Sequence, residues 1–344
     1  MLNPLTKKKA KFLFIGLFCF LLSPMVTQAE EAQESPGFTV ESVVSEKQVD
    51  PNQSYFYLSV EPNTLQTIQV KVRSIQEEPV TVSLAIHDAV SSSIGSIDYT
   101  QKKPELDESL KDPITKIVTI KEDPKEVTVA NFEEKIIEYQ IKPPEENFPG
   151  IKLGALRFVK NDTGKAQTGG LKTEYAYVIA LMLTEDGEDF NRGADLTLKS
   201  VGMKRSKGKN VVAAKIQNHQ PKMLQEASIM GNIKRKGAKK VLNKFEIKEF
   251  SAAPNSNFEF NVPLDKKNLS AGTYVFTGVV KSDDQTWRWK KEFNVAREKD
   301  RKLDSNKQAQ TPKWQEQFPM VVGLILLALG VLSISIKQKQ RQIK

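Results

Sequence analysis

Alternation of apolar and polar residues is the feature that most constrains the fold of this chain. Residues 67–73 (TIQVKVR) alternate without error, and the larger apolar residues of 80–87 (VTVSLAIH) occupy every second position. Successive side chains of a strand point to opposite faces, so this period predicts strands with one buried face. Similar segments recur at 38–44, 55–60, 114–120, 135–142 and 151–159, and then at 175–183, 196–201, 211–218, 227–233, 241–250, 257–262, 272–281 and 286–295.

Short strands that are separated by turn residues, with no long helical segment between them, are typical of antiparallel sandwiches. We therefore predict an all-β ectodomain of two immunoglobulin-like β-sandwiches in tandem, at residues 38–163 and 171–297. Gly164, Gly169 and Gly170 mark the connection between them. A single helical turn is expected at residues 105–112.

The two ends of the chain predict export and anchoring. Residues 1–29 combine a basic start, an apolar stretch and small residues at the expected cleavage position, which indicates a signal peptide. Residues 318–336 carry no charged side chain and as a helix extend about 28 Å, close to the thickness of the hydrocarbon layer of a bilayer. We predict that they form one transmembrane helix, preceded by a polar stalk at 298–317 and followed by a basic cytoplasmic tail at 337–344. This topology predicts a single-pass protein of the cell membrane with an extracellular N-terminal ectodomain.

The charge of the chain is unevenly distributed. Of the formal net charge of +9, the signal peptide and the tail contribute +4 each, so the rest carries +1 and gives no support to nucleic-acid binding. Residues 30–175 carry 16 cations and 25 anions, whereas residues 176–336 carry 27 cations and 17 anions. This asymmetry predicts two domains with different partners, the basic one near the anionic polymers of a cell wall or a lipid surface.

The sequence predicts no catalytic, cofactor or metal site. The only cysteine, Cys19, lies in the predicted signal peptide, so the mature exported chain would have no disulfide, which favours a Gram-positive surface over a eukaryotic one. We expect His87 and His219 to be polar surface residues. Adjacent carboxylates on a strand point to opposite faces and do not form an acid/base pair. We therefore predict a non-enzymatic protein; a wall hydrolase with carboxylates from distant strands stays an alternative.

Two clusters are candidates for partner binding. Trp287 and Trp289 share one face of a strand, either in the core or as an aromatic platform for a sugar ring or a partner side chain. The second cluster, Lys234, Arg235 and Lys236, lies at a predicted hairpin tip, where it is either a solvated turn or a contact to an anionic wall polymer.

Several short motifs occur in order along the chain: FTV at 38–40, PNQ at 51–53, YFYL at 55–58, GSIDY at 95–99, FPGIKLGALRF at 148–158, YAYVI at 175–179, APNSNF at 253–258, GTY at 272–274 and WRW at 287–289. As a set they resemble the WxL-interacting protein family of Gram-positive surfaces. The resemblance implies a membrane-anchored adaptor whose first extracellular domain binds peptidoglycan and whose second binds host proteins, in partnership with secreted WxL-domain proteins. The family often has paired glycines where Gly154 and Ala155 stand, and Ala155 is expected to be strained if that position needs a positive φ.

Our prediction is thus a surface adaptor that binds WxL-domain proteins, peptidoglycan or another wall polymer, and host extracellular proteins, through a sheet edge or one broad face. The main alternative is a glycan-binding adhesin in which Trp287 and Trp289 are exposed. An assembly chaperone of two-sandwich type is a further alternative.

Overall fold

The computed structural model describes residues 36–161, 174–264, 269–283 and 285–296. The predicted signal peptide, stalk, transmembrane helix and tail, and the connection at 164–172, lie outside these residues. Within the described part, no helix is long and apolar enough to cross a bilayer. That part consists of strands and one short helix, which confirms the all-β class; the immunoglobulin-like arrangement stays a prediction.

The first sandwich encloses its core between two sheets. One sheet has the strand order β1-β3-β9-β7 and is antiparallel throughout; the other has the order β2-β11-β10-β4-β8, with β2 parallel to β11. The strands are β1 (Phe38–Ser42), β2 (Phe56–Ser59), β3 (Gln66–Ser74), β4 (Val80–Asp88), β7 (Val118–Ile120), β8 (Glu126–Val129), β9 (Glu134–Ile141), β10 (Ile151–Lys160) and β11 (Ala176–Thr184). Inward-facing residues of both sheets, such as Val70, Tyr139, Leu156 and Phe158, form one buried cluster.

Two strands of the first sandwich region form a separate hairpin, β5 (Val90–Ser91) and β6 (Ile97–Asp98). These short strands and β8 were not predicted from the sequence. Strands of two to four residues are too short for alternation to stand out.

The second sandwich packs a three-stranded sheet, in the order β12-β13-β16, on a four-stranded sheet, in the order β15-β14-β17-β18. Its strands are β12 (Leu196–Ser206), β13 (Lys209–Asn218), β14 (Leu224–Arg235), β15 (Val241–Ala252), β16 (Ser256–Pro263), β17 (Gly272–Lys281) and β18 (Thr286–Val295). Every pairing in it is antiparallel. Its core includes Phe250, Phe260, Tyr274 and Phe276.

Strand β11 belongs by its hydrogen bonds to the first sandwich. It pairs with β10 along nine residue pairs and runs parallel to β2. The predicted second domain, 171–297, begins just before this strand. Because strand pairing is a long-range property, the position of β11 in the sequence did not reveal its sheet.

The predicted helical turn at 105–112 is wrong, since the helix of the described chain, α1 (Ile114–Ile117), lies beyond it. The Asp107 carboxylate accepts hydrogen bonds from the backbone N–H and hydroxyl of Ser109, at 3.0 and 2.7 Å. Aspartate side chains that bind the backbone two residues on favour turns over helices. The first half of the predicted strand 114–120 is α1, and only β7 is extended.

The expected strain at Ala155 is also absent. Ala155 lies inside β10, is fully buried and is not among the described residues with positive φ. Gly154 is the constrained position, because a Cβ there would lie 2.5 Å from the carbonyl oxygen of His87 and 2.7 Å from Cβ of Ile114. The glycine lets β10 approach β4 and α1 closely.

Replacing Gly154 with alanine is therefore expected to lower the free energy of unfolding by about 1–3 kcal/mol, the usual cost of overpacking. Urea unfolding measures this difference. Gly202→Ala on β12 is the control, because nothing lies within 4 Å of a Cβ added there. Equal stability of the two variants would contradict the close approach.

Candidate functional site

Both predicted tryptophans face the core of the second sandwich. Trp287 is 7% exposed, and its Nε1 donates a hydrogen bond to Oδ1 of Asp195 at 3.1 Å. Trp289 is half-buried against the same core and lies opposite Gly278 of β17. Trp287 is almost fully covered and Trp289 is covered in part, so the positions of the two rings favour the core interpretation over the platform.

The predicted cluster Lys234, Arg235 and Lys236 does not form one patch. Lys234 pairs with Val275 and points outward, whereas Arg235 pairs with the buried Tyr274 and contacts the Ser270 hydroxyl at 3.4 Å. Lys236 follows the strand, and its Nζ forms an ion pair with Glu292 at 2.7 Å. Only Lys234 of the three therefore joins the outer face of the sheet directly.

That outer face collects cations from all four strands. Register pairs join Lys244 to Asn232, Asn232 to Thr277, and Thr277 to Lys290, which makes one row across the sheet. The row next to it carries Arg288 at one end. We define the basic face as the cations Lys234, Lys244, Lys281, Arg288 and Lys290, the acids Glu246 and Glu292, and the floor residues Met230, Asn232, Val275, Thr277 and Val279.

The first sandwich carries a polar cleft of 470 Å³. It is lined by residues 43–47 and 66–69, Lys121 and Glu138. The Glu138 carboxylate accepts hydrogen bonds from Nζ of Lys121 and, at 2.9 Å, from Nε2 of Gln69. These two bonds lower the pKa of Glu138, and the same carboxylate raises the pKa of Lys121. Both groups are therefore charged across the physiological pH range.

Gln66 contributes an unusual group to the same cleft. Its Nε2 is buried and has no hydrogen-bond partner among the described residues. A buried amide donor without an acceptor costs about 1–3 kcal/mol, so most such groups are paired with protein, water or ligand. No sequence pattern indicated this cleft, because it depends on the pairing of β3 with β9.

A joint of buried polar groups connects the two sandwiches. Asp107, in the loop before α1, accepts hydrogen bonds from Nε2 of Gln217 at 2.8 Å and from Nδ2 of Asn257 at 2.9 Å. Burial raises the pKa of Asp107, but the hydrogen bonds from Ser109, Gln217 and Asn257 outweigh this and hold the pKa below its usual value. An ionised carboxylate thus links a loop of the first sandwich to two strands of the second.

Further contacts extend the joint. Ser91 of β5 accepts a hydrogen bond from the backbone N–H of Ala253 at 2.8 Å, and its hydroxyl lies 2.6 Å from that of Ser256. The backbone N–H of Ile151 donates to the carbonyl of Pro221 at 2.9 Å. Gly150 is needed beside it, because its φ is +64° and a Cβ would lie 2.4 Å from the same carbonyl oxygen.

Apolar residues fill the rest of the joint. Tyr57, Ile151, Leu153 and Met182 of the first sandwich pack with Met223 and Ala253 of the second. The side chain of Lys152, 6% exposed, donates to the carbonyl of Lys111 and so holds the loop that carries Asp107. Burial lowers the pKa of Lys152.

The prediction that His87 is a polar surface residue is wrong, because the side chain is buried at 4% exposure. Its Nδ1 lies 2.8 Å from the carbonyl oxygen of Tyr99, in a segment that covers this face of the sheet. Burial raises the pKa of Tyr99 to about 12. His219 is half-exposed beside the joint, 3.6 Å from the Asp195 carboxylate.

Comparison with known families identifies both halves of the chain. Residues 38–160 match the peptidoglycan binding domain of the WxL Interacting Protein, and residues 166–305 match the host binding domain of the same protein. The chain belongs to the WxL-interacting protein family. The resemblance predicted from the motifs is thereby confirmed. Both matched domains are binding domains, which supports a non-enzymatic surface binding protein.

The second family domain begins before β11, so the family boundary and the sheet boundary differ. No curated protein matches the chain. Solved structures with distant similarity include the CupB2 chaperone of Pseudomonas aeruginosa, at 12% identity over 67% of this chain and 93% of that one, with a TM-score of 0.27. The CsuC–CsuE chaperone–subunit complex of Acinetobacter baumannii matches at 11% identity over 67% of this chain and 93% of that one, with a TM-score of 0.31. Scores this low carry no conclusion about fold or function.

The joint generates a pH-dependent prediction. Replacing Asp107 with alanine is expected to lower the free energy of unfolding at pH 7 by roughly 1–3 kcal/mol, because Gln217 and Asn257 lose their acceptor. Since the folded pKa is depressed, this stability is present above the unfolded pKa of about 4 and is lost as the pH falls through the folded value. The difference between wild type and variant should therefore shrink below about pH 4.

Urea unfolding of wild type and variant at about pH 7, 5, 4 and 3 measures this difference in stability. Glu108→Ala removes the same charge from the exposed neighbouring residue and is expected to change stability by less than about 0.5 kcal/mol. An Asp107→Ala variant that is as stable as wild type at pH 7 would show that the carboxylate does not hold the joint.

Proposed function

We propose that this chain is a non-enzymatic adaptor of a Gram-positive cell surface. One transmembrane helix at 318–336 holds it in the cell membrane, with the sandwiches outside and the basic tail in the cytoplasm. The first sandwich binds peptidoglycan or another wall polymer, and the second binds a WxL-domain surface protein and a host extracellular protein. Support comes from the two family matches and from the uncharged run and basic tail in the sequence.

The observation that carries the wall-binding part is the unpaired amide of Gln66 in the cleft of the domain that matches a peptidoglycan-binding model. Peptidoglycan presents acyl oxygens, hydroxyls, amide N–H groups and carboxylates. In the proposed complex the Gln66 amide turns towards the cleft and its Nε2 donates to an acyl or hydroxyl oxygen, a carboxylate approaches Lys121, and a donor approaches Glu138. A polar ligand of this kind offers a partner for every group of the cleft.

Replacement of Gln66 with alanine tests the cleft. Binding of the full chain to purified peptidoglycan is expected to weaken about 3- to 10-fold, the value of one neutral hydrogen bond. Stability should be unchanged or slightly raised, because an unpaired buried group is removed. Sedimentation with purified peptidoglycan measures the binding.

The matched control is Gln225→Ala, at an exposed position of β14 in the second sandwich. A second pair compares Glu138→Gln in the cleft with Glu134→Gln, an exposed carboxylate on the same strand. If both cleft variants bind peptidoglycan as well as wild type, the ligand lies elsewhere on the sandwich.

The anchoring part is tested by truncation. A chain that stops after Gln317 is expected to be released when the cell wall is digested, whereas the full chain stays with the cells and is degraded by protease added outside. Retention of the truncated chain on the cells in high salt, after the cell wall is digested, would refute the anchor.

Partner binding is tested with the same two proteins. The truncated chain should retain its capture of a purified WxL-domain protein, because that partner is assigned to the sandwiches. Among the described strands, β15 has a strand partner on one side only. Its other edge donates from Ser251 to the carbonyl of Gly95, and the part of this edge before Ser251 is the surface we assign to strand addition. A WxL-domain protein that binds neither form would remove this partner.

A further inference from the structure

The basic face of the second sandwich is a site in its own right. We propose that it binds a linear polyanion that carries repeated phosphate or sulfate groups. Such a ligand is either a phosphodiester polymer of the wall or a sulfated polysaccharide of a host surface; the two share their recognition chemistry. This inference does not depend on the cleft or on a WxL-domain partner.

Charge is the first argument. Residues 196–296 contain 20 Lys and Arg against 8 Asp and Glu, a net charge of +12. On the basic face, Glu292 is already paired with Lys236, which leaves Glu246 as the remaining acid of the face as defined. Within the described residues, Lys234, Lys244, Lys281, Arg288 and Lys290 form no ion pair. Five cations are therefore available to an anionic ligand.

The arrangement of these cations is the second argument. Lys244 and Lys290 stand at opposite ends of one row of four residues, about 14 Å apart across three strand spacings. Arg288 and Lys290 lie two residues apart on β18, about 7 Å along the strand, and so point to the same face. The cations thus stand at both edges of the sheet, with Lys244 beside Glu246 on β15 and Arg288 beside Lys290 on β18, at intervals that a chain of repeated anions can match.

The floor between the borders is uncharged. Asn232 and Thr277 lie side by side in its middle and offer hydrogen-bond donors and acceptors, and Val275, Val279 and Met230 surround them. All five are half-buried and have no charged group. Long cationic side chains around short neutral ones form a shallow trough, in which the backbone of a polymer can lie while its anionic groups reach the borders.

Two observations favour a polyanion over other macromolecules. Lysine is depleted in protein–protein interfaces, whereas four of the five available cations of this face are lysines. Single-stranded nucleic acids bind through aromatic side chains that stack on bases, but Trp287 and Trp289 point away from this face into the core. The alternation that buries the indoles is the same one that exposes Arg288 and Lys290.

The test compares two double variants with the same change in charge. Arg288→Gln/Lys290→Gln removes two cations from the basic face, and Lys207→Gln/Lys209→Gln removes two exposed cations at the turn between β12 and β13, in the other sheet. Affinities of the full chain for fluorescent heparin and for fluorescent poly(glycerol phosphate) are measured over a series of salt concentrations. All four substitutions are at exposed positions, and thermal unfolding confirms that both variants fold.

The basic-face variant is expected to lose at least about tenfold in affinity at low salt, and the slope of log K against log[salt] should fall by about 2 in magnitude. The Lys207→Gln/Lys209→Gln control should keep most of its affinity and most of its salt dependence. Heparin binding alone would identify a host sulfated polysaccharide, and poly(glycerol phosphate) binding alone a wall polymer; either supports the site. Equal losses in both variants, no binding to either polymer at about 0.15 M salt, or a preference for single-stranded DNA over both would overturn it.

The result is separable from that of the proposed function. Gln66→Ala should leave polyanion binding unchanged, and Arg288→Gln/Lys290→Gln should leave peptidoglycan binding through the cleft unchanged. If the peptidoglycan assay fails and the polyanion assay succeeds, the cleft proposal is wrong; the opposite outcome refutes the polyanion site alone.

Discussion

The joint centred on Asp107 is the interaction on which the rest of the structure depends. A carboxylate with its polar partners at 2.7–3.0 Å is one of the stronger contacts available inside a protein. Around this carboxylate, backbone hydrogen bonds and a small apolar cluster exclude water from the surfaces where the two sandwiches meet. Loss of any one partner leaves a buried polar group unpaired, so the joint favours one arrangement of the two sandwiches.

Several motifs that carry the family resemblance meet at this joint. Gly95, in the motif at 95–99, accepts a hydrogen bond from the backbone of Ser251, Gly150 gives Pro221 room, and Asn257 binds Asp107. They are far apart in the sequence and look like separate turn signals. Their common location shows that these three motifs serve one contact between the sandwiches.

Much of the fold was predictable because alternation fixes which side chains of a strand share a face. That rule located most of the strands and placed Arg288 and Lys290 opposite the two tryptophans. Alternation gives no information on which strands pair. The cleft at Gln66, the sheet to which β11 belongs and the rows of the basic face could therefore not be predicted. Asp107 was missed because its partners lie 110 and 150 residues away, while its local pattern suggested a helical turn.

Core packing and the joint determine where the proposed recognition surfaces lie on the two sandwiches. Inward-facing side chains of both sandwiches pack closely in their cores, and residues at the ends that face each other form the joint. What stays free for a ligand is an outer face or a sheet edge, where substitutions have little effect on stability. On the second sandwich those free positions carry cations on both sides of a neutral strip, whereas the cleft of the first combines a carboxylate, an ammonium group and amides. Two surfaces of different chemistry, on sandwiches that meet at the joint, suit the proposed adaptor, which holds two unlike partners at once.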